Sequence, residues 1–367
     1  MLVGCGGTDG GGNPIEVSPG EREPEGVPVL GSGQNDLSAV DVATVVGAGA
    51  GLKGPRDIEF NPRRDGEAWI VNRKDHSAVV VTGMGTESQS SQKFDGANSR
   101  HFLAKPAALA FGQPGRMATA QQENKKTQPS TPPDFMGVTL WTTELDSFSA
   151  GHTSHYDMMH NSPLASGIAW EKGNAYWVFD GAHGSLTRYD FKSDHGPGGR
   201  DHTDGVVRRY LDDTLKVVKG VVGHVDLDRD RGVLYAADTG NSRVVVLNID
   251  SGEVGKSIFP NYDGSDQKYV RNAQWKTLIG ADAGLERPAG LELHDGRLFV
   301  ADNATATVHA FTSDGKRLDS LDLSERIPEG ALQGIGFDSE GNLYAVNSKG
   351  NSILRVRAEE RPEQTAR

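Results

Sequence analysis

A short pattern of turn and strand residues recurs along the chain and limits the folds that it can adopt. In each copy a Gly or Asn turn is followed six residues later by Asp or Asn, with an apolar run between them. An alternating apolar pair precedes each copy and another apolar strand follows it, which is typical of short antiparallel strands. The five clear copies pair Gly66 with Asn72, Asn174 with Asp180, Gly232 with Asp238, Gly296 with Asp302, and Gly341 with Asn347.

The spacing of the copies indicates the architecture. A sixth, weaker copy begins at Pro106 and is interrupted by a polar insertion from Gln121 to Pro133. The copies begin 44 to 65 residues apart, at Pro55, Pro106, Pro163, Gly223, Pro288 and Leu332. Periods of about 45–50 residues with four strands each are typical of propeller blades, and the longer spacings require loop insertions. The 47 Gly among 367 residues also favour many turns. The prediction is an all-β, six-bladed β-propeller over residues 37–357.

The two ends of the repeat region predict how the ring closes. The last copy has three strands, whereas Asp41 to Val46 is a strand with no copy of its own. If this strand pairs with the third strand of the last copy, neither strand is left as an open sheet edge. Asp41 to Val46 is therefore predicted to be the outer strand of the last blade. The alternative, in which Leu37 to Val46 begins a seventh blade, stays open. The charged residues 358–367 are expected to fray.

Two stretches resemble a known repeat family. Pro288-Ala-Gly-Leu with Gly296-Arg-Leu-Phe-Val-Ala-Asp302, and Leu234-Tyr-Ala-Ala-Asp-Thr-Gly-Asn-Ser-Arg-Val244, are similar to the NHL repeat of six-bladed β-propellers. The resemblance runs from Asp41 to Val356 and is strongest in the last three copies. It implies the propeller fold but not an activity, because the family includes scaffolds, binding modules and a few enzymes.

The N-terminal residues resemble the start of a bacterial lipoprotein. Leu2-Val3-Gly4-Cys5 is similar to the lipobox, in which Cys becomes the N-terminus and carries a lipid, although the usual preceding signal segments are missing. Cys5 is the single cysteine, so an internal disulfide is excluded. The following residues are mostly Gly, Pro, Glu and Ser, a composition that does not offset the entropy lost on ordering. Residues 1–36 are therefore predicted to be a lipidation site and a disordered tether at the bacterial cell envelope, periplasmic or surface-exposed.

Charge and hydropathy exclude several partners. The net charge of −12 argues against nucleic acid, because such binding depends on basic patches. No apolar stretch reaches the about 18 residues that a membrane-spanning helix needs, so the lipid on Cys5 is the only membrane contact expected. The expected partner is a protein or a small-molecule ligand, and the expected state is a monomer.

Histidines and acids cluster in two insertions. The first carries His152, His155 and His160 beside two methionines, and the second carries Asp194, His195, Asp201 and His202. Imidazoles suit zinc, imidazoles with thioethers suit copper, and loop carboxylates suit calcium. All three metals stay open, as does the alternative of solvated loop residues, because the spacing matches no known metal motif.

One histidine lies on a predicted inner strand. In each copy one residue directly precedes the alternating apolar pair. It is small in four of the six copies, as expected where inner strands crowd together. The six residues are Asp57, Ala108, Gly167, His224, Gly290 and Gly334. Asp57 and His224 break this rule. With Arg56 and Gln333 they are predicted to line the mouth of the channel, either as a hydrogen bond across the pore or as part of a site. His224 therefore joins the candidate metal ligands.

Two functions follow from these observations. The first is a non-catalytic, lipid-tethered module that binds through a loop face built from Gln121 to Pro133, Ser147 to Ser162 and Lys192 to Gly205. The second is a metal-dependent enzyme with His160, His224 and loop acids around the channel entrance. Amidating lyases of this fold hold a channel zinc with histidines, and lactonase-type propellers hold a channel calcium with Glu and Asn. Glu59 and Asn161 are available for the latter role.

Overall fold

The computed structural model shows six β-sheets arranged in a closed ring. It describes residues 26–94, 102–124, 137–148, 155–199 and 201–359. The first strand of each sheet is innermost and contacts the first strands of both neighbouring sheets, and the sixth sheet contacts the first. The predicted all-β, six-bladed propeller is confirmed.

The strands are numbered in chain order, and β1 is Val40–Val46. The first sheet contains β2 to β5, at Pro55–Phe60, Ala68–Asn72, Ser77–Thr82 and Ser90–Phe94. The second contains β6 to β9, at Pro106–Phe111, Arg116–Gln121, Val138–Thr142 and His155–Met159. The third contains β10 to β13, at Gly167–Lys172, Ala175–Asp180, Ser185–Asp190 and Val206–Tyr210, and also β17 and β18, at Glu253–Ser257 and Asp266–Arg271.

The other three sheets have four strands each. The fourth contains β14, β15, β16 and β19, at Val225–Asp228, Val233–Asp238, Arg243–Asn248 and Trp275–Ile279. The fifth contains β20 to β23, at Pro288–His294, Arg297–Asp302, Thr307–Thr312 and Arg317–Asp322. The sixth contains β24, β25, β26 and β1, with the first three at Leu332–Phe337, Leu343–Asn347 and Ser352–Ala358.

Helices are short. The described residues contain one α-helix, Leu145–Phe148, and 3₁₀ turns at Pro28–Leu30, Leu37–Ala39, Ala48–Ala50, Thr239–Asn241 and Ala281–Ala283. Within these residues, no helix has the length and apolar character needed to cross a bilayer.

A buried aromatic residue recurs in the second strand of the sheets. It lies three residues after the Gly or Asn turn of each clear copy, at Trp69, Trp177, Tyr235, Phe299 and Tyr344, and each is at most 2% exposed. Trp69 packs edge-on against Phe111 of the second sheet. Large aromatic side chains fill the space between adjacent sheets, which no single sheet could bury alone.

Strand β1 closes the ring. It pairs antiparallel with β26, from Val40 opposite Ala358 to Val46 opposite Ile353. This is the place predicted for Asp41 to Val46, and the strand does not begin a seventh sheet. Strand β26 continues to Ala358, one residue beyond the predicted domain boundary. The rest of the predicted frayed tail, residues 360–367, lies outside the described residues.

The segment before β1 corrects the prediction of a disordered tether as far as residue 36. Val27, Val29 and Leu30 are buried in the core that the fifth and sixth sheets share. The buried carboxylate of Asp319 accepts hydrogen bonds from the backbone N–H groups of Val27 (2.7 Å) and Gly33 (2.9 Å). Residues 26–36 therefore belong to the folded domain, because three apolar side chains and a buried acid offset the cost of ordering them. Residues 1–25, including Cys5, lie outside the described residues.

The third sheet contains two strands that the sequence analysis did not predict. The chain leaves the fourth sheet after β16, forms the hairpin of β17 and β18, and returns to the fourth sheet as β19. Strand β18 pairs parallel with β13, the outer strand of the third sheet. The longest interval between repeat copies is therefore explained by a hairpin that extends a neighbouring sheet.

The recurrent Asp and Asn residues bond backbone N–H groups near the strand ends. Asp180, Asp302 and Asn347 accept from the turn that follows, and Asn72, Asp238 and Asp302 accept from the chain upstream. Asp302 accepts hydrogen bonds from Ala304 N (2.9 Å) and Thr305 N (3.3 Å) in its own turn. It also accepts from Glu286 N (2.6 Å) and Arg287 N (3.0 Å), which precede the inner strand of the same sheet. One buried carboxylate thus satisfies four backbone donors and fixes the entry to β20.

Candidate functional site

The inner strands place a second ring of residues around the channel, two positions after Asp57 and its equivalents. Its members are Glu59, Ala110, Ala169, Asp226, Glu292 and Gly336. Three of the six are carboxylates, and the other three are small. Glu59, Asp226 and Glu292, with the small residues Ala110 and Ala169, line a cavity of about 590 Å³. This cavity, called the channel mouth below, lies where the inner strands end and turn back.

The channel mouth is strongly acidic. The acidic residues that line it are Asp57, Glu59, Asp226, Asp228, Asp230 and Glu292, and the basic ones are Arg63 and Arg229. The Arg229 guanidinium lies 4.7 Å from the Trp170 ring centre and its Nε donates to the Trp170 carbonyl oxygen (3.1 Å). Arg63 donates to the Gly112 carbonyl oxygen (3.1 Å). Among the described residues, neither arginine forms an ion pair with Glu59 or Glu292.

Glu59 and Glu292 differ from the other channel acids in their surroundings. Within the described part of the chain, neither carboxylate accepts a hydrogen bond from the protein. Burial in the channel raises the pKa of both well above its usual value, and repulsion from Asp57 and Asp226 raises each pKa further. Burial also raises the pKa of Asp226, although its oxygens accept hydrogen bonds from Leu293 N and Leu227 N, both at 2.7 Å. The channel mouth therefore favours any cation that enters it.

These pKa shifts predict how stability depends on pH. The folded protein retains protons on Glu59 and Glu292 above the ordinary value of 4.5, where the unfolded chain releases them. Stability therefore falls as pH rises through the interval between the ordinary and the raised pKa. The E59Q/E292Q variant removes this penalty. Its Tm should match the wild type at about pH 4 and exceed it at about pH 8, by about 1.5 °C for each kcal/mol of repulsion removed.

Thermal denaturation across this pH range tests the prediction. The control is E325Q/E329Q, which removes the same charge from two exposed positions. An equal gain in Tm in both variants at the higher pH would show that the change in net charge, and not the channel acids, causes the stabilisation.

Asp57 and His224 face each other across the channel beneath the acids. They come from the first and fourth sheets, which lie opposite in the ring, and His224 Nε2 is 3.7 Å from Asp57 Oδ1. This separation is too long for the predicted hydrogen bond. A Cβ on Gly334 would lie 2.7 Å from Asp57 Oδ1 and 2.8 Å from His224 Cε1, so the small residue makes room for the pair. The pair forms the floor of the channel mouth.

The opposite end of the channel is filled. Val221 and Val222 pack there with two alanines from other inner strands. Gln333 Oε1 accepts from Val222 N (3.1 Å), so this residue holds the plug in place. Arg56 is also enclosed, and burial lowers the pKa of its guanidinium to about 10. A ligand therefore enters from the acidic end.

The predicted metal ligands do not form one site. His152 lies outside the described residues. His155 stacks on Phe102 with ring centres 3.8 Å apart, and His160 Nδ1 lies 2.6 Å from Asp263 Oδ1. His224 belongs to the channel floor.

The remaining predicted ligands lie on the third-sheet loop. Asp194 pairs with Arg116 (2.6 Å), and exposed Asp201 accepts from Thr203. His195 and His202 do come together, beside Asp157 and Asp204.

The residues of the enzyme alternative are likewise separated. His160 is not among the residues that line the channel mouth, whereas His224 is. Asn161 donates to the Pro260 carbonyl oxygen (2.9 Å) and to Gln267, away from Glu59. Neither the His160–His224 site nor the Glu59–Asn161 site is assembled.

A larger cavity, of about 750 Å³, lies between the fifth and sixth sheets. Several of its charged or ring groups have partners, since Arg357 pairs with Asp41 and His294 stacks on Phe337. The channel mouth is the better candidate, because its half-buried Glu59 and Glu292 accept no hydrogen bond from the described residues.

Comparisons with known proteins support the fold. No family model matches the chain, and no curated protein matches its sequence. An auxiliary nutrient binding protein from Bacteroides ovatus is similar in structure, with a TM-score of 0.53 and 13% identity over 88% of this chain and 77% of that one. The chain is a six-bladed β-propeller. The fold is shared by a streptogramin B lyase, with a TM-score of 0.51 and 12% identity over 87% of this chain and 98% of that one. It is also shared by a luciferin-regenerating enzyme, with a TM-score of 0.52 and 10% identity over 87% of this chain and 95% of that one.

These similarities show the fold alone, because the identities are 10–13%. The similar propellers include a binding protein and enzymes, so they do not decide the activity. The narrower assignment to the NHL family stays a prediction.

Proposed function

We propose that the protein is a non-catalytic binding module that takes a small, positively charged organic ligand in the channel mouth. The observation that carries this proposal is the presence of two unpartnered carboxylates, Glu59 and Glu292, in a cavity of about 590 Å³. Cavities of about 300–1,000 Å³ are typical of small-molecule sites. An ammonium or guanidinium group would supply the hydrogen bonds that these carboxylates lack.

The spacing of the acids favours an organic cation over a metal ion. Metal ions need several ligand atoms at about 2.0–2.6 Å, and hence close to one another. Within the described ranges, the single group of three or more His, Cys, Asp or Glu with ligand atoms inside 4.8 Å is Asp157, His195 and Asp204. The channel acids are more widely spaced. An extended ligand with two charged ends can contact them separately.

Tethering and location are part of the same proposal. The lipobox-like residues ending at Cys5 support a lipid anchor at the bacterial cell envelope, with the propeller periplasmic or surface-exposed. The loop face, which includes Lys192 to Gly205, would then be free for a protein partner.

Calorimetric titration with putrescine tests the proposed function. Putrescine carries two ammonium groups, and 1,4-butanediol is its neutral counterpart of similar shape. We expect wild-type protein to bind putrescine and not the diol, and E59Q/E292Q to bind it at least about tenfold more weakly, which corresponds to about 1.4 kcal/mol.

The control variant is again E325Q/E329Q, which should bind putrescine as the wild type does. Equal affinity for the amine and the diol, or undiminished binding by E59Q/E292Q, would contradict the proposal.

A further inference from the structure

The loop between β12 and β13, described at residues 191–199 and 201–205, leaves its own sheet and lies on the neighbouring one. Gly198 N donates to the His155 carbonyl oxygen of β9 (2.8 Å), and Asp194 pairs with Arg116 of β7 (2.6 Å). The Arg116 guanidinium also lies 4.1 Å from the Tyr156 ring centre. These contacts hold the third-sheet loop against the outer strand of the second sheet.

Three potential metal ligands meet where the loop crosses β9. They are Asp157 from β9 with His195 and Asp204 from the loop, and their ligand atoms all lie within 4.8 Å of one another. His195 Nε2 is 3.0 Å from Asp204 Oδ1. Zinc–ligand bonds of about 2.0–2.1 Å in a tetrahedron place neighbouring ligand atoms about 3.3 Å apart. The loop therefore already holds two ligands near the required spacing.

Asp157 supplies an independent indication of a missing partner. Its side chain is fully buried, and Oδ1 accepts from His202 Nδ1 (2.5 Å) and Met158 N (2.6 Å). Its other oxygen, Oδ2, is buried without a hydrogen-bond partner among the described residues. A buried carboxylate oxygen without a partner is costly, and a cation would satisfy it.

His202 would act as a positioning residue. By donating to Oδ1, it fixes the orientation of the Asp157 carboxylate and leaves Oδ2 for another partner. Side chains that hydrogen-bond to metal ligands in this way typically set ligand geometry. The donor set of one imidazole and two carboxylates suits a borderline divalent ion such as zinc better than calcium, which prefers oxygen alone.

We propose that Asp157, His195 and Asp204 form a zinc site that fastens the 191–205 loop of the third sheet to β9 of the second sheet. None of these residues lines the channel mouth. The proposal is therefore independent of the ligand proposed there.

The test is zinc binding by the full chain, measured by calorimetric titration with zinc chloride and by metal analysis after dialysis. We expect one equivalent of zinc to bind and to raise the Tm, because a ligand that binds the folded state stabilises it. Loss of a zinc ligand in H195A or D204A should weaken binding at least about tenfold and abolish the Tm gain. Both residues lie outside the core, so both variants should fold.

Two controls separate this site from others. H183A removes a histidine that bonds Asp180 (2.7 Å) in another turn, and it should bind zinc as the wild type does. E59Q/E292Q should also keep zinc binding, and H195A should keep putrescine binding. Failure of the wild-type chain to bind zinc, or binding that survives in both H195A and D204A, would overturn the proposal.

Discussion

Replacing Asp302 with Ala is expected to lower the free energy of unfolding by about 3–5 kcal/mol, the upper range for a single substitution. The substitution leaves four backbone N–H groups without an acceptor, two in the turn after β21 and two before β20. Asp302 is fully buried, so water cannot replace the carboxylate without opening the turn. Urea denaturation followed by circular dichroism measures the change.

Asp314→Ala is the matched control for Asp302. Asp314 also lies in a turn of the fifth sheet, but it is exposed and bonds the Thr312 hydroxyl. Exposed substitutions of this kind usually change stability by less than about 0.5 kcal/mol. A similarly small decrease in the free energy of unfolding of Asp302→Ala would mean that the Asp302 carboxylate does not connect the turn to the inner strand.

A chain that begins at residue 47 is expected to lose cooperative folding. The deletion removes β1 and leaves the backbone donors and acceptors of β26 unpaired along one edge. It also removes Val40 and Val46, which are 4% and 2% exposed, and so uncovers apolar side chains of the sixth sheet. Thermal denaturation followed by near-ultraviolet circular dichroism should show no sharp transition.

A chain that begins at residue 26 is the control for this deletion. It retains β1 and the contacts of Val27 and Gly33 with Asp319. We expect it to unfold cooperatively, like the full chain. Equal Tm values for the chains beginning at residues 26 and 47 would show that β1 is not needed to close the ring.

The repeat made the fold predictable, because each copy contains its own strands and turns. Gly296 to Asp302, for example, encodes a turn, a buried strand and the next turn within seven residues. Local patterns of this kind depend little on the rest of the chain. The position of β1 was also predictable, because a sixth sheet with three strands needs a fourth.

Two parts of the fold were not predictable by the same reasoning. Strands β17 and β18 carry exposed residues on much of their length and pair with a sheet that is distant in sequence. Residues 26–36 have the composition of a tether, yet Val27 and Leu30 fit a core that only the closed ring creates. Both depend on tertiary contacts, which composition and periodicity do not contain.

The channel acids could have been found from the sequence. Asp57 and His224 occupy equivalent positions in the aligned repeat copies. Two residues further along each copy, Glu59, Asp226 and Glu292 occupy equivalent positions, and the other three copies have Ala or Gly there. The clustered histidines, in contrast, do not form a single site. They lie near one another in sequence, but His155, His160 and His195 have different partners in space.

The most direct test of the account is a crystal structure of the wild-type protein grown with putrescine. We expect density for the diamine in the channel mouth, with an ammonium nitrogen about 2.7–3.2 Å from a carboxylate oxygen of Glu59 or Glu292. Density for putrescine elsewhere, or a channel in which the protein's own donors pair with both carboxylates and leave no space for a ligand, would contradict it.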